Sequence, residues 1–173
     1  TPAELNAAGL VGPTQITSLA FHVAGKLYNG TYTANIAMRA DGGVPAVWPS
    51  AAHINTGLTT VYSNSSVSST LGWNTYNFSV PFSWNGTSNV LVSVCFTHNT
   101  PSFFDIVSTS DAGAVRFNAL NASACNAVTG ALATIGPNDR PNVRFTGGTV
   151  LYSWSPSAGL NASTIEDPKL GLS

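Results

Sequence analysis

The sequence predicts an all-β protein, an antiparallel β-sandwich of jelly-roll-like type with one short N-terminal helix. Three observations predict it. Apolar residues alternate with polar ones in short runs, which is typical of strands with one buried face. Clusters of Gly, Pro, Asn and Ser separate seven or eight such runs. The 173 residues are enough to bury one full-sized core.

The helix is predicted at the start of the chain. Thr1, Pro2 and Glu4 have the form of a capping box, with Thr as N-cap, Pro at the first helical position and Glu three residues after the cap. Gly9 is suited to end this helix, because glycine readily adopts the left-handed backbone of a C-cap. The sequence therefore predicts one short helix before the first strand.

The strands are predicted from apolar residues that recur at every second position. The alternation is clearest in residues 31–39, where every second side chain is apolar. In residues 90–97 both faces are largely apolar, which predicts a central strand of the core. Pro81 places the end of an earlier strand at an edge or a bend. The remaining predicted strands cover residues 19–23, 58–62, 72–82, 103–107, 114–117 and 142–145.

The composition changes after two glycines, which divides the chain into a sandwich domain at 1–148 and a segment at 149–173. This segment is too short to form a core, so it is predicted to be a linker or part of an immunoglobulin-like module. Packing on an adjacent copy of the chain would give its apolar residues a core and make the protein a fibre subunit. These residues are Leu151, Tyr152, Trp154, Leu160, Ile165 and Leu170.

The low charge of the chain and the shortness of its apolar runs argue against nucleic acid and against a membrane as partners. Only 8% of the residues are charged and the formal net charge is -1, so no basic surface is predicted to bind nucleic acid. No apolar run approaches the roughly 18 to 20 residues of a membrane span, and membrane insertion is not predicted.

The ionisable residues do not form a pattern that predicts an enzyme. The carboxylates are scattered singly between turns, and the three histidines lack metal-ligand spacing, so neither catalysis nor a cofactor is predicted. A Ca²⁺ site at Asp105 and Asp111 is a weaker alternative to turn capping by these side chains. The full set is Glu4, Asp41, Asp105, Asp111, Asp139, Glu166 and Asp167, with His22, His53 and His98.

Cys95 and Cys125 are separated by 29 residues without a CxxC motif. This spacing favours a disulfide, as is usual in secreted proteins, over a metal site. The alternative is a pair of buried thiols that pack as small apolar groups.

Three tryptophans near turns are candidates for sugar stacking or for the core. Trp48, next to Pro49, is the candidate for an exposed ligand contact. Trp73 and Trp84 are predicted to fill the ends of the sandwich. Arg140 and Arg144 are predicted to have structural roles, by binding loop carbonyls or pairing with an Asp, and the alternative is that a guanidinium there binds an anion.

Four segments, in this order along the chain, resemble a β-sandwich domain of large secreted and surface proteins of Bacteroidetes. They are 3–10 (AELNAAGL), 16–21 (ITSLAF), 81–90 (PFSWNGTSNV) and 140–145 (RPNVRF). The tail, with 152–156 (YSWSP), 159–160 (GL) and 167–168 (DP), looks like the start of an immunoglobulin-like or PKD-like repeat.

The resemblance implies export by the type IX secretion route and display at the bacterial cell surface, with adhesion, gliding or fibre formation as the role. The first hypothesis is therefore a non-enzymatic extracellular module that contacts neighbouring domains or copies of itself. The alternative is a carbohydrate-binding module attached to a secreted enzyme, with glycans as partners.

Overall fold

The computed structural model describes residues 1–26, 30–45, 56–97, 104–110 and 139–149. It confirms an all-β antiparallel fold with one short N-terminal helix, in which two sheets pack face to face as a sandwich. The helix is α1 (Pro2–Ala7). The strands in these residues are β1 (Thr14–Lys26), β2 (Tyr32–Arg39), β3 (Thr59–Val67), β4 (Gly72–Trp84), β5 (Leu91–Thr97), β6 (Phe104–Ile106), β7 (Ser108–Ser110), β8 (Asp139–Pro141) and β9 (Val143–Thr149).

Helix α1 begins and ends where the sequence predicts. Thr1 is the N-cap, and its hydroxyl donates a hydrogen bond of 2.7 Å to the Glu4 carboxylate. Gly9 has a φ of 88°, and the backbone N–H of Leu10 donates to the carbonyl of Leu5. This bond is typical of a glycine-terminated helix, and it brings Leu5 and Leu10 together where both pack against the core.

Sheet I is built around β1, which pairs on one side with β4 and on the other with two strands in succession. β9 pairs with β1 from Thr14 to Phe21, and β6 pairs with it from Val23 to Lys26. The change of partner falls at His22, whose carbonyl accepts the backbone N–H of Val107. Beyond this point β7 and β8 pair with each other. The first and last described strands therefore lie side by side.

Sheet II has the order β3-β2-β5. Buried and half-buried residues alternate strictly along β2, as the sequence predicts. The core between the sheets contains side chains from both sheets. They are Ile16, Leu19, Phe21, Tyr76, Phe82 and Trp84 from sheet I, and Tyr32, Ala34, Ile36, Met38 and Val61 from sheet II.

β1 and β4 depart from regular pairing at one place. Ile16 lies opposite Phe82, but Ser18 lies opposite Asn77, so Thr17 faces four residues of β4. Pro81 lies in this irregular stretch, which agrees with the predicted edge or bend, but the strand does not end there and continues to Trp84. The hydroxyl of Ser79 donates to the carbonyl of Val61 in sheet II. β4 therefore bonds to both sheets at this bulge.

A hydrogen bond crosses the core between two tyrosines. The hydroxyl oxygens of Tyr32 and Tyr76 are 2.8 Å apart, and both side chains are buried. Phe21, Tyr62 and Phe96 make edge-to-face ring contacts with this pair. Burial raises the pKa of both tyrosines, because the interior disfavours the phenolate. The pair joins the sheets while its polar groups stay hydrogen-bonded.

Of the predicted central position of strand 90–97 and the predicted core positions of Trp73 and Trp84, the structure confirms only that of Trp84. Within the described part of sheet II, β5 follows β2 at the end of the strand order, so the central position belongs to β2. Trp84 is 1% exposed and lies in the core, as predicted. Its indole N–H donates to the carbonyl of Ser88. Trp73 lies outside the core cluster, on the opposite face of sheet I.

Several predictions concern residues outside those that the structure describes. They are the predicted strand at 114–117, the boundary after residue 148 with the segment 149–173 beyond Thr149, and the tail residues Leu151, Tyr152, Trp154, Leu160, Ile165 and Leu170. These remain predictions.

Candidate ligand-binding surface on sheet I

The site residues predicted from sequence are mostly outside the described ranges. Trp48, Asp111 and Cys125 belong to this group. Cys95 lies on β5 opposite Asn35, and Asp105 lies on β6 opposite Gly25. No cysteine in the described ranges is free, which is compatible with the disulfide, but the Cys95–Cys125 pairing stays a prediction.

The two carboxylates whose side chains are described both bind an arginine. An Arg140 nitrogen lies 2.6 Å from a Glu4 oxygen and ties α1 to β8. Hydrogen bonds from Arg140 and then from Thr1 lower the pKa of Glu4 from 4.5 to about 2. Arg39 binds Asp41 at 2.7 Å and lowers the pKa of that carboxyl. Both groups are held as anions at neutral pH, a state suited to structural ion pairs.

A third arginine has a different partner. The guanidinium carbon of Arg144 lies 3.8 Å from the centre of the Trp73 ring. Cation and aromatic ring attract each other at this distance. The His22 ring meets the same indole edge-to-face, with ring centres 5.2 Å apart. These three side chains, which we call the Trp73 cluster, lie on the outer face of sheet I.

Strand pairing explains how the cluster forms. Phe145 and Val143 of β9 pack against the core, so Arg144 between them points outward. Arg144 lies opposite Ala20 on β1, and Trp73 lies opposite His22 on the far side of β1. The Arg144 side chain therefore crosses β1 beside Ala20 to reach the indole. Ala20 is 6% exposed, and its small side chain leaves room for this crossing.

His22 contributes a buried polar atom to the cluster. Its Nδ1 is buried and has no hydrogen-bond partner among the described residues. A buried nitrogen without a partner loses its bonds to water on folding. The ring packing against Trp73 offsets this loss in part, so His22 fits a structural role that supports the indole.

The cluster is bordered by exposed neutral side chains. Thr75 and Asn77 continue the outer face of β4, and Thr146 continues that of β9. All three are exposed, as is Arg144 itself. Among the described residues the result is an accessible surface with one cation, one half-buried indole and several hydroxyl and amide groups. Such groups suit the hydroxyls and the apolar C–H surface of a sugar.

The prediction that Trp73 fills the core is wrong, and the sequence contained the signal against it. Asn74 lies two residues before Tyr76, so both are on one face of β4, and Tyr76 is buried in the core. Because side chains alternate along a strand, Trp73 next to Asn74 belongs on the other face. The contact with Arg144 had no sequence signal, since it depends on the pairing of β1 with both β4 and β9.

A cleft of about 460 Å³ lies where the chain from Gly9 to Thr14 passes Gly147 and Gly148. No ionisable side chain lines it, and the Thr14 hydroxyl is bonded to the carbonyl of Gly148. Nearby, Gly12 and Gly86 approach so closely that a Cβ on Gly12 would be 2.2 Å from the Gly86 Cα. The cleft therefore has few groups that could bind a ligand specifically or take part in catalysis.

Within the described residues, no three His, Cys, Asp or Glu side chains form a group that could hold a metal ion. No helix in that part of the chain is long and apolar enough to cross a membrane. Comparison with protein-family models, with curated proteins and with solved structures finds no match.

Proposed function

We propose that the chain is a non-enzymatic, extracellular structural and adhesion module of a bacterial surface protein, of the Bacteroidetes type exported by the type IX route, and that it serves as a fibre subunit. Its partners are neighbouring domains or further copies of the chain. Its action is mechanical display of a rigid sandwich, with contacts made by sheet surfaces and the segment 149–173.

The neutral surface of the described strands is the observation that carries this proposal. Along β3 most residues are exposed, and its exposed residues are Ser, Thr and Asn. On β4 the exposed residues include Thr75, Asn77 and Ser79. Such groups form hydrogen bonds with another protein surface without the cost of removing charges from water. With a net charge of -1, copies of the chain also repel each other little.

The pairing of the described carboxylates supports the same proposal. Glu4 and Asp41 are each bound to arginine, and the low pKa of each is set by that arginine. A general acid or base at neutral pH needs a pKa near the working pH instead. A structural role therefore fits these ion pairs better: one holds α1 against β8, and the other stabilises the turn after β2.

Electron microscopy of the full 173-residue chain tests the proposal. Regular filaments or oligomers are expected, because the apolar residues of segment 149–173 would pack on a neighbouring copy. Replacing Trp154→Ala should shorten or abolish the filaments. Trp48→Ala is the matched control, since Trp48 lies outside the segment and should leave assembly unchanged.

Two results would contradict the fibre proposal. One is a monomer at every concentration at which the chain stays soluble, in sedimentation as well as in microscopy. The other is equal assembly of the wild type and the Trp154→Ala variant, which would remove the segment from the contact.

A second candidate function, carbohydrate binding, is favoured by the position of Trp73 on the outer face of sheet I. An indole beside exposed hydroxyl and amide groups matches the chemistry of sugar recognition. Screening the chain against a glycan array, with Trp73→Ala and Trp48→Ala variants, tests this candidate. Failure to bind any glycan would exclude it, whatever the outcome of the filament test.

A further inference from the structure

We infer that the Trp73 cluster binds an acidic saccharide, with Arg144 bound to the carboxylate of the sugar. The inference deepens the carbohydrate-binding candidate by assigning a site and a ligand class. It does not depend on fibre formation.

Arg144 is a cation without an anionic partner in the described part of the chain. Arg39 and Arg140 are both bound to carboxylates there, whereas Arg144 has neither an ion pair nor a side-chain hydrogen bond. It is exposed on the outer face of sheet I. Its side chain extends across β1, so the guanidinium lies over the Trp73 ring.

The contact with Trp73 holds the guanidinium in place. At 3.8 Å from the ring centre, the group is in van der Waals contact with the indole, while its N–H bonds have no acceptor among the described side chains. A guanidinium fixed in this way offers a fork of donors that matches the two oxygens of a carboxylate. Because the fork is already oriented, less side-chain entropy is lost on binding.

The surroundings favour a saccharide carrying few charges. Thr75, Asn77 and Thr146 are exposed on the same face and provide neutral donors and acceptors for sugar hydroxyls. Trp73 is half-buried, and the exposed part of its indole that Arg144 does not cover provides apolar surface for sugar C–H groups. The chain has a net charge of -1 and only six Lys and Arg residues. A polyphosphate would need a larger positive field, whereas one carboxylate needs one guanidinium.

Calorimetric titration of the full chain at low ionic strength tests the inference. The probes are trigalacturonate, triglucuronate and sialyllactose, with methyl-esterified trigalacturonate as the matched neutral probe. At least one acidic probe should bind. Trigalacturonate, if it is that probe, should bind at least tenfold more tightly than its ester, because esterification removes the charge that Arg144 contacts.

Two variants that each remove one positive charge distinguish a specific contact with Arg144 from general electrostatic attraction. Arg144→Gln should weaken binding at least tenfold, while Arg140→Gln should change it less than twofold. Arg144→Lys should restore little affinity, since lysine keeps the charge but lacks the planar fork. Circular dichroism melting curves establish that each variant is folded.

Three outcomes would overturn the inference. They are no binding of any acidic probe by the wild type, equal losses in the Arg144→Gln and Arg140→Gln variants, and binding of pentaglutamate as tight as that of the best saccharide. The last result would assign the surface to acidic peptides. None of these outcomes bears on filament formation, so failure here and failure of the fibre proposal are distinguishable.

Discussion

The inner face of sheet I packs against side chains of sheet II, whereas on its outer face Arg144 of the same sheet lies opposite Ala20 and reaches the Trp73 ring. On the inner face, Leu19 and Phe21 are buried among apolar and aromatic groups, and a buried hydrogen bond joins Tyr32 to Tyr76 across the core. On the outer face, the contact is between a cation and an indole.

The two faces illustrate two ways to keep a strand away from water. Apolar packing between the sheets removes a large apolar surface area from water and contributes most of the free energy of folding. A long charged side chain laid across a small residue covers little area but leaves its charged end in solvent. The inner face is therefore expected to determine folding, and the outer face is free to serve recognition.

Matched replacement of two tryptophans should show the largest contrast. Trp84→Ala should lower the free energy of unfolding by about 3–5 kcal/mol, because it empties a fully buried site. Trp73→Ala should cost only about 1 kcal/mol, because its indole is half-buried and its main partners are Arg144 and His22. Urea unfolding followed by circular dichroism measures both. Equal losses would show that the outer face also carries the fold.

Removing a hydroxyl from the tyrosine pair should have a smaller effect. Tyr32→Phe should cost about 1–3 kcal/mol, because it takes away the hydrogen bond that the buried Tyr76 hydroxyl makes in the described structure. The double variant Tyr32→Phe/Tyr76→Phe should cost no more than this single change, since no buried hydroxyl is left behind. A double variant that loses the sum of both single changes would contradict coupling between the sheets through this bond.

The Glu4–Arg140 pair lies outside both faces and provides a surface reference. The ion pair should contribute under about 1 kcal/mol to the free energy of unfolding, because the two side chains are 45% and 40% exposed. The pKa of Glu4 falls from 4.5 to about 2 on folding, so the stabilisation is present above pH 4.5 and is lost as pH falls through 2. Thermal melts of the wild type and Arg140→Gln should differ at pH 7 and converge near pH 2. A constant difference would exclude the ion pair as its cause.

Replacing His22 should have the smallest effect. His22→Phe keeps a ring against Trp73 and removes the buried Nδ1 that has no partner in the described residues. Stability should therefore be unchanged or slightly higher. His22→Ala is the control that removes the ring and should destabilise the protein. A clear loss of stability in His22→Phe would mean that the imidazole nitrogen has a structural role.

Local patterns were sufficient for the helix and for β2. The capping box and Gly9 act within a few residues, so the start and end of α1 follow from chain chemistry alone. The period of two in β2 reports which side chains face the core, because a strand with one buried face needs that alternation. The same alternation puts Tyr76 in the core and Trp73 on the outer face of sheet I.

Pairing between distant strands decided the rest. β1 is buried on both faces from Ser18 to Phe21, where it pairs with β4 and β9 and packs against sheet II, and each of these contacts joins residues far apart in sequence. The Trp73 cluster depends on the same arrangement. His22, Trp73 and Arg144 come from three strands, and only the register that sets Ala20 beside Arg144 brings the guanidinium to the indole. The sequence by itself determined the strands and the helix caps, since these depend on neighbouring residues. Only the tertiary structure decided which outward side chains meet, because cross-strand register is set by the whole sandwich.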